Sequence, residues 1–338
     1  MSGVGKQTVQ GKAFEYACLL SIQNKIEKES VIYEIENSKA FTTAKIAFEC
    51  LKPELQDKYM NAANTAMKII FPLEPRLLYD DSDIPLFLAI SSDNIAKGAA
   101  GDVRDVVCLR KGSEWEIGFS CKHNHEALKH PRLTEHDGSG TPLNVADFGK
   151  NWLGYSCSDT YFAQMIPVMQ HIKEHEGELW KNAFTSKEDE VYVPALTAIK
   201  DEIERLCASH EDAPRKFLEY FFGSKDFYKV ISLESSSQTK VVAFNMSGTL
   251  NRPIGRHKPL NKIPALHMPT RLIEIRFKER NTGEISKTTL SMVFDGGWTI
   301  DMRLHNADSK VKTTGLKFDV QLQGNPHGIY QQQRSWYE

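Results

Sequence analysis

A chain of 338 residues with 41% hydrophobic and 25% charged side chains has ordinary globular composition, enough for a core spread over about one to three domains. No apolar run approaches the ~18 residues of a membrane span, the N-terminus lacks the apolar stretch of a signal peptide, and six scattered cysteines form no Cys-x-x-Cys pair; an integral membrane protein, a collagen, a coiled coil and a disulfide scaffold are excluded, and a cytoplasmic chain with buried thiols is expected. Charge is uneven along the chain: residues 240–338 hold 15 Lys and Arg against 8 Asp and Glu, leaving 27 against 36 in the rest, a pattern that fits one surface facing a polyanion.

In chain order, residues 10–26 predict a helix, with Phe14, Cys18 and Ile22 at i, i+4 and i+8. A second helical stretch, 38–71, is interrupted near Pro53. Three strand-like runs follow at 85–91, 102–110 and 115–122, then a loop-like region at 128–150 marked by Asp137-Gly138-Ser139-Gly140. Helices are expected again at 158–175, 194–209 and 213–222. The last third is rich in Val, Ile, Phe and Thr, with strands expected at 228–233, 239–246, 271–279, 286–294, 298–304 and 315–323, separated by turns such as Asn281-Thr282-Gly283. The pattern predicts an α/β or α+β fold with a mixed sheet flanked by helices, divided as 1–157, a helical connection at 158–227, and a strand-rich basic region at 228–338.

The segment with chemical content is Gly101-Asp102-Val103-Arg104-Asp105, followed after a charged turn by Trp115 through Lys122. Alternation along a strand sets Ile117, Phe119 and Cys121 on the core face and Glu116, Gly118, Ser120 and Lys122 on the other. Lys122 ends this strand and Asp105 begins its expected hairpin partner, so an acid and a lysine can meet at one sheet end. Such a pair suits phosphodiester hydrolysis, in which a carboxylate holds a divalent cation and an ammonium orients water or offsets developing charge. The plainer reading is a salt bridge on a hairpin edge.

A Mg²⁺ ion prefers several hard oxygen ligands, and Ser120, two residues before Lys122, is a poor one. The second carboxylate must come from elsewhere: Glu15 on the first helix, Glu116 on the same strand face, or Glu135 beyond the strand. Each is otherwise a solvated glutamate. Asp102 is a further outer candidate, and His123 could touch a phosphate.

Asp105 with Ser120-Cys121-Lys122 resembles a variant PD-(D/E)xK nuclease core in which serine replaces the second acid, and Gly11-x-x-Phe14-Glu15 resembles the first-helix glutamate that several such nucleases use as a metal ligand. Longer strings narrow the likeness. Gly101-Asp102-Val103-Arg104-Asp105, Phe119 through Leu133, Asp147-Phe148-Gly149-x-x-Trp152, and Trp298-x-x-x-x-Arg303-x-His305-Asn306 together resemble the HaeIII family of type II restriction endonucleases, over about residues 10–325. The resemblance implies Mg²⁺-dependent cleavage of double-stranded DNA at GGCC with blunt ends, a homodimer reading the palindrome, and a cognate methyltransferase protecting the same site. It also implies Asp105 as metal ligand and Lys122 as the residue acting on water, with Glu15 as the chosen second ligand.

Other motifs carry less. His123-Asn124-His125 spells HNH, but consecutive residues on a strand cannot all face one metal. Asn325-Pro326-His327 has no Gly-x-Gly segment to accompany it as a methyltransferase would need, and no phosphate-binding Gly-x-x-x-x-Gly-Lys run exists. Guanine reading calls for Arg or Lys in a groove, and the candidate DNA contacts are Arg303, His305, Asn306, Lys310, Lys312, Arg256 and Lys258; for most of them a phosphate is the expected partner rather than a base. The rival functions are a structure-specific DNA repair nuclease on the same core and a non-cleaving DNA-binding regulator.

Overall fold

Residues 6–80, 84–92, 102–113, 115–124, 130–133 and 147–338 are described in the structure, a computed structural model. They form a mixed α+β architecture in two compact units, Met1–Glu126 with Gly223–His267 and Gly328–Glu338, and Ala127–Phe222 with Met268–His327.

In the first unit, α1 (Lys6–Lys28) buries the predicted stripe of Phe14, Cys18 and Ile22 and extends it to Ile26. The Ser38 hydroxyl accepts from the Phe41 N–H and caps α2 (Lys39–Glu49). Pro53 opens α3 (Pro53–Ile70), so the interruption read at that proline is a boundary between two helices. The helices pack on a seven-stranded mixed sheet in the order β1 (Tyr33–Ile35), β2 (Leu86–Ile90), β3 (Val106–Arg110), β4 (Trp115–His123), β5 (Phe227–Leu233), β6 (Gln238–Phe244) and β11 (Tyr330–Ser335). β3 and β4 form the expected hairpin, its turn passing through Gly112 at φ +101°, which glycine adopts without strain. β4 then runs parallel to β5.

The second unit carries α4 (Phe148–Leu153), α5 (Asp159–Glu174), α6 (Trp180–Ala183), α7 (Val193–Ser209) and α8 (Ala213–Phe222) with an antiparallel sheet ordered β10 (Leu316–Leu322), β9 (Thr299–Asn306), β8 (Ile285–Phe294) and β7 (Leu272–Glu279). Leu290, Met292, Ile300, Met302, Leu304, Phe318 and Val320 are all buried, and α7 packs on β7 and β8.

The expected segments differ from these units. Region 228–338 is shared between them, because β5 hydrogen-bonds to β4, β6 to β5 and β11 to β6, extending the first sheet rather than founding a new one. The short strands β1 and β11 and the short helices α4 and α6 were not foreseen; three to six residues carry too little periodicity to read. The charge asymmetry also resolves differently. Residues 240–267 hold five Lys and Arg and no Asp or Glu, and they belong to the first unit, whereas β7–β10 belong to the second. No helix among the described residues is long and apolar enough to cross a membrane.

Candidate functional site

Asp105 stands one residue before β3. Its N–H donates to the Phe119 carbonyl at 2.8 Å and its carbonyl accepts from the Ser91 N–H at 2.8 Å, so its backbone is fixed on both sides. Beyond the last backbone pair, Val106 with Phe119, the side chain continues the ladder: the Cys121 N–H donates to Asp105 Oδ2 at 2.7 Å. Lys122 Nζ lies 3.6 Å from that same oxygen. Asp105 Oδ1 accepts no protein hydrogen bond among the described residues. The acid and the lysine therefore meet at the sheet end, as their strand positions require.

The third group arrives on α1. The Cys18 and Cys121 thiols meet in the core, and the Phe14 ring lies 6.3 Å from that of His123, docking this part of the helix on the end of β4. Glu15 lies between those two contacts in sequence, is 6% exposed, and pairs with Lys12 at 3.0 Å. Burial acts to lower the Lys122 pKa, but the carboxylates of Asp105 and Glu15 outweigh it and leave the ammonium above its ordinary value. The hydrogen bond with Cys18, together with burial, pushes the Cys121 thiol up, so it is no nucleophile.

The remaining candidates are placed elsewhere. Asp102 accepts from the Arg104 N–H at 3.0 Å and from its guanidinium at 2.9 and 2.8 Å. Glu116 lies 3.4 Å from the same guanidinium and 2.7 Å from Lys225. Both acids thus serve Arg104, whose stem lies across β4 at Gly118; a Cβ there would stand 2.0 Å from Arg104 Cδ. His123 packs against Tyr59 with ring centroids 4.7 Å apart, and its Nε2 is 3.5 Å from Glu234; burial lowers its pKa, so it is a neutral ring on the helix side. Ser120 is buried and pairs with Lys229 of β5. Glu135 lies outside the described residues.

No group of three or more His, Cys, Asp or Glu among the described residues is arranged to hold a metal alone. Asp105, with one oxygen unclaimed, and Glu15 supply two hard carboxylates at one sheet end. That donor set fits Mg²⁺, which keeps several waters and commonly completes its shell with substrate phosphate. It does not fit a closed structural zinc site.

In the second unit, Thr299, Asp301, Arg303 and His305 alternate along β9 with buried Ile300, Met302 and Leu304. Arg303 is 56% exposed at its side chain and reaches Asp319 of β10 at 3.4 Å, its register partner. His305 is half-buried, and burial lowers its pKa below the ordinary value. Asn306 is committed internally: its Oδ1 accepts from Tyr192 at 3.0 Å and Lys187 at 3.2 Å, and its Nδ2 donates to the Asp308 carbonyl at 2.7 Å. Lys312 pairs with Asp308 at 3.4 Å, while the Lys310 ammonium makes no ion pair among the described residues. Arg256 and Lys258 belong to the first unit.

Three charged groups near the acid–lysine pair were not singled out from sequence: Arg104, buried and bidentate to Asp102; Lys229, buried in register with Ser120; and Lys12, paired with Glu15. For Lys12 the i,i+3 spacing to Glu15 was a readable signal.

The family model described as HaeIII restriction endonuclease matches residues 11–326. A curated relative, the type II restriction enzyme HaeIII of Haemophilus aegyptius, is 32% identical over 335 residues, covering 98% of this chain and 99% of that one. No solved structure matches.

Proposed function

The chain belongs to the HaeIII restriction endonuclease family, and from that premise we propose a type II site-specific deoxyribonuclease that hydrolyses double-stranded DNA with Mg²⁺ on a PD-(D/E)xK-like core. The observation that carries the reading is the meeting of the Asp105 carboxylate, the Lys122 ammonium and the buried Glu15 at one sheet end.

Asp105 and Glu15 would hold the cation. Bound there, Mg²⁺ supplies Lewis-acid polarisation of the scissile phosphate. Asp105 is anchored for this by the Cys121 N–H, which leaves its second oxygen available. Lys122 stands beside Asp105, and in this reading it orients the attacking water and offsets negative charge growing on the phosphate. Glu15 takes the role that Ser120 cannot fill, reaching the site from a helix instead of from the strand.

Base reading falls in this proposal to the polar face of β9 and β10. The Arg303 guanidinium, steadied by Asp319, presents the fork that binds guanine O6 and N7. By family likeness the target is GGCC cut to blunt ends, the acting form is a homodimer matching the palindrome, and a methyltransferase of the same specificity protects the host DNA in the cytoplasm. Incubating plasmid DNA with the protein and Mg²⁺ tests the reading. Discrete blunt fragments ending at GGCC support it. Cutting only at branched junctions would make it a structure-specific repair nuclease, and intact plasmid under bound protein a non-cleaving regulator.

A further inference from the structure

Away from the acid–lysine pair, the first unit contains a cavity of about 880 Å³. Lys25, Lys28, Lys68, Arg256, Lys258 and Arg334 line it, and no Asp or Glu does among the described residues. Ser21, Asn24, Lys25 and Lys28 present one face of α1, and Asn64, Met67, Lys68 and Phe71 present the matching face of α3. Lys25 and Lys28 follow Glu15 by ten and thirteen residues, so they stand ~15–20 Å from it along the helix axis.

Helix chemistry accounts for half of these cations. Lys25, Lys28 and Lys68 occupy the last turns of their helices, where lysine complements the dipole. Lys25 also pairs with Glu29 at 2.7 Å, and Lys68 donates to the Glu338 carbonyl. Nothing of that kind accounts for Arg256 and Lys258, which are exposed and make no ion pair among the described residues. Their segment is built to hold them. Ile254 and His257 exchange backbone hydrogen bonds of 3.0 and 2.9 Å around a tight turn, and the His257 ring lies flat on Tyr79 at 3.6 Å and 8°. The turn falls within 240–267, the stretch with five cations and no acid, in an otherwise acid-rich chain.

We propose that this cavity is a sequence-independent DNA contact, whose cations hold phosphates of the duplex lying outside the bases that are read and cut. The inference rests on the nuclease reading above. It adds a second surface of the first unit, supplied by the C-terminal ends of α1 and α3, the 254–258 turn and Arg334 of β11. Cations spread over four chain segments around an open rim suit a chain of phosphates better than a single one, and the charge complements the polyanion on which the family acts.

The test measures binding of a random duplex against salt in Ca²⁺, for the full chain and for the Arg256→Ala/Lys258→Ala double variant. Loss of two phosphate contacts should reduce the slope of log K against log salt by about 2 and weaken random and GGCC duplexes by the same factor. A control, Lys39→Ala/Lys45→Ala on α2 outside the cavity, removes the same net charge and should leave the slope in place. An unchanged slope in the first variant, or an equal loss in the control, overturns the proposal, as does saturable binding of dAMP that Arg256→Ala/Lys258→Ala abolishes while the duplex slope stays unchanged. Cleavage of a GGCC plasmid by the unaltered chain, run alongside, separates this failure from failure of the nuclease reading.

Discussion

Unit 1 and unit 2 each contain a sheet, but the two differ in what their strands leave free. Along β4 every residue from Ile117 to Cys121 is buried, even and odd alike, and polar side chains gather only where the strand ends. Along β9, Ile300, Met302 and Leu304 lie in the core with Arg303 exposed between the last two, while Asp301 is buried and held by Lys278 of β7. A strand buried on both faces can offer chemistry only at its tip, where backbone rungs run out and side chains take them over. A strand covered on one face offers a row of positions at two-residue spacing, which suits reading a repeating partner. The division proposed here, cutting at the end of β4 and reading on the face of β9, follows from that contrast.

Separating the two roles by mutation is the strongest way to break the comparison. Asp105→Asn and Lys122→Ala should each lower cleavage by at least about a thousandfold, since they remove cation binding and charge compensation at the phosphate. Binding to GGCC in Ca²⁺ should stay within a few-fold, measured by titration. Near-normal turnover in either variant removes the site from β4. Glu15→Gln should cost about a hundredfold in rate and raise the Mg²⁺ concentration needed for half-maximal cleavage. Were Glu135→Gln the inactive variant instead, the second carboxylate would come from the segment after β4.

Arg303→Ala should show the converse phenotype. A good bidentate guanine contact is worth about 1–3 kcal/mol, and a twofold dimer would lose it at both half-sites. Competition between GGCC and scrambled duplexes at fixed salt gives the measurement, and retention of full preference would move base reading off β9.

A smaller effect concerns a carboxyl buried inside unit 1. Glu74 is fully buried; burial raises its pKa to about 7, against hydrogen bonds from the Tyr228 hydroxyl at 2.7 Å and the Asn251 N–H at 2.6 Å. A carboxyl raised above its unfolded value of 4.5 contributes stability fully below that pH and loses it as pH climbs through about 7. Glu74→Gln should therefore be more stable than the parent at pH 8 and near it at pH 5, with a gap on the order of 2–3 kcal/mol between the two conditions. Denaturant unfolding at both values decides it, and equal shifts at pH 5 and pH 8 would refute the titration.

How far the sequence foretold this depends on the scale of the feature. Long periodic helices and the β3–β4 hairpin were legible because Phe14, Cys18 and Ile22, or Ile117, Phe119 and Cys121, repeat with the spacing of their backbone. The Asp105–Lys122 meeting was legible for the same reason, since hairpin register carries it. Strand partnership across long separations was not. Nothing local in Lys229 says that it will stand beside Ser120, or that 228–244 will extend the first sheet. Commitment of polar groups was equally hidden. Asp102 and Glu116 read as available acids, and only the fold shows Arg104 between them, just as it shows Asn306 spent on Tyr192 and Lys187.

The bond from the Cys121 amide to Asp105 ties the proposed cation ligand to the mechanical integrity of a strand tip. If Asp105 acts as proposed, fraying there disassembles the site, and an opening far smaller than unfolding would silence the enzyme. The amide proton of Cys121 should exchange with solvent at a rate that tracks how often Asp105 is in position, making a single backbone hydrogen a gauge of readiness that needs neither substrate nor turnover.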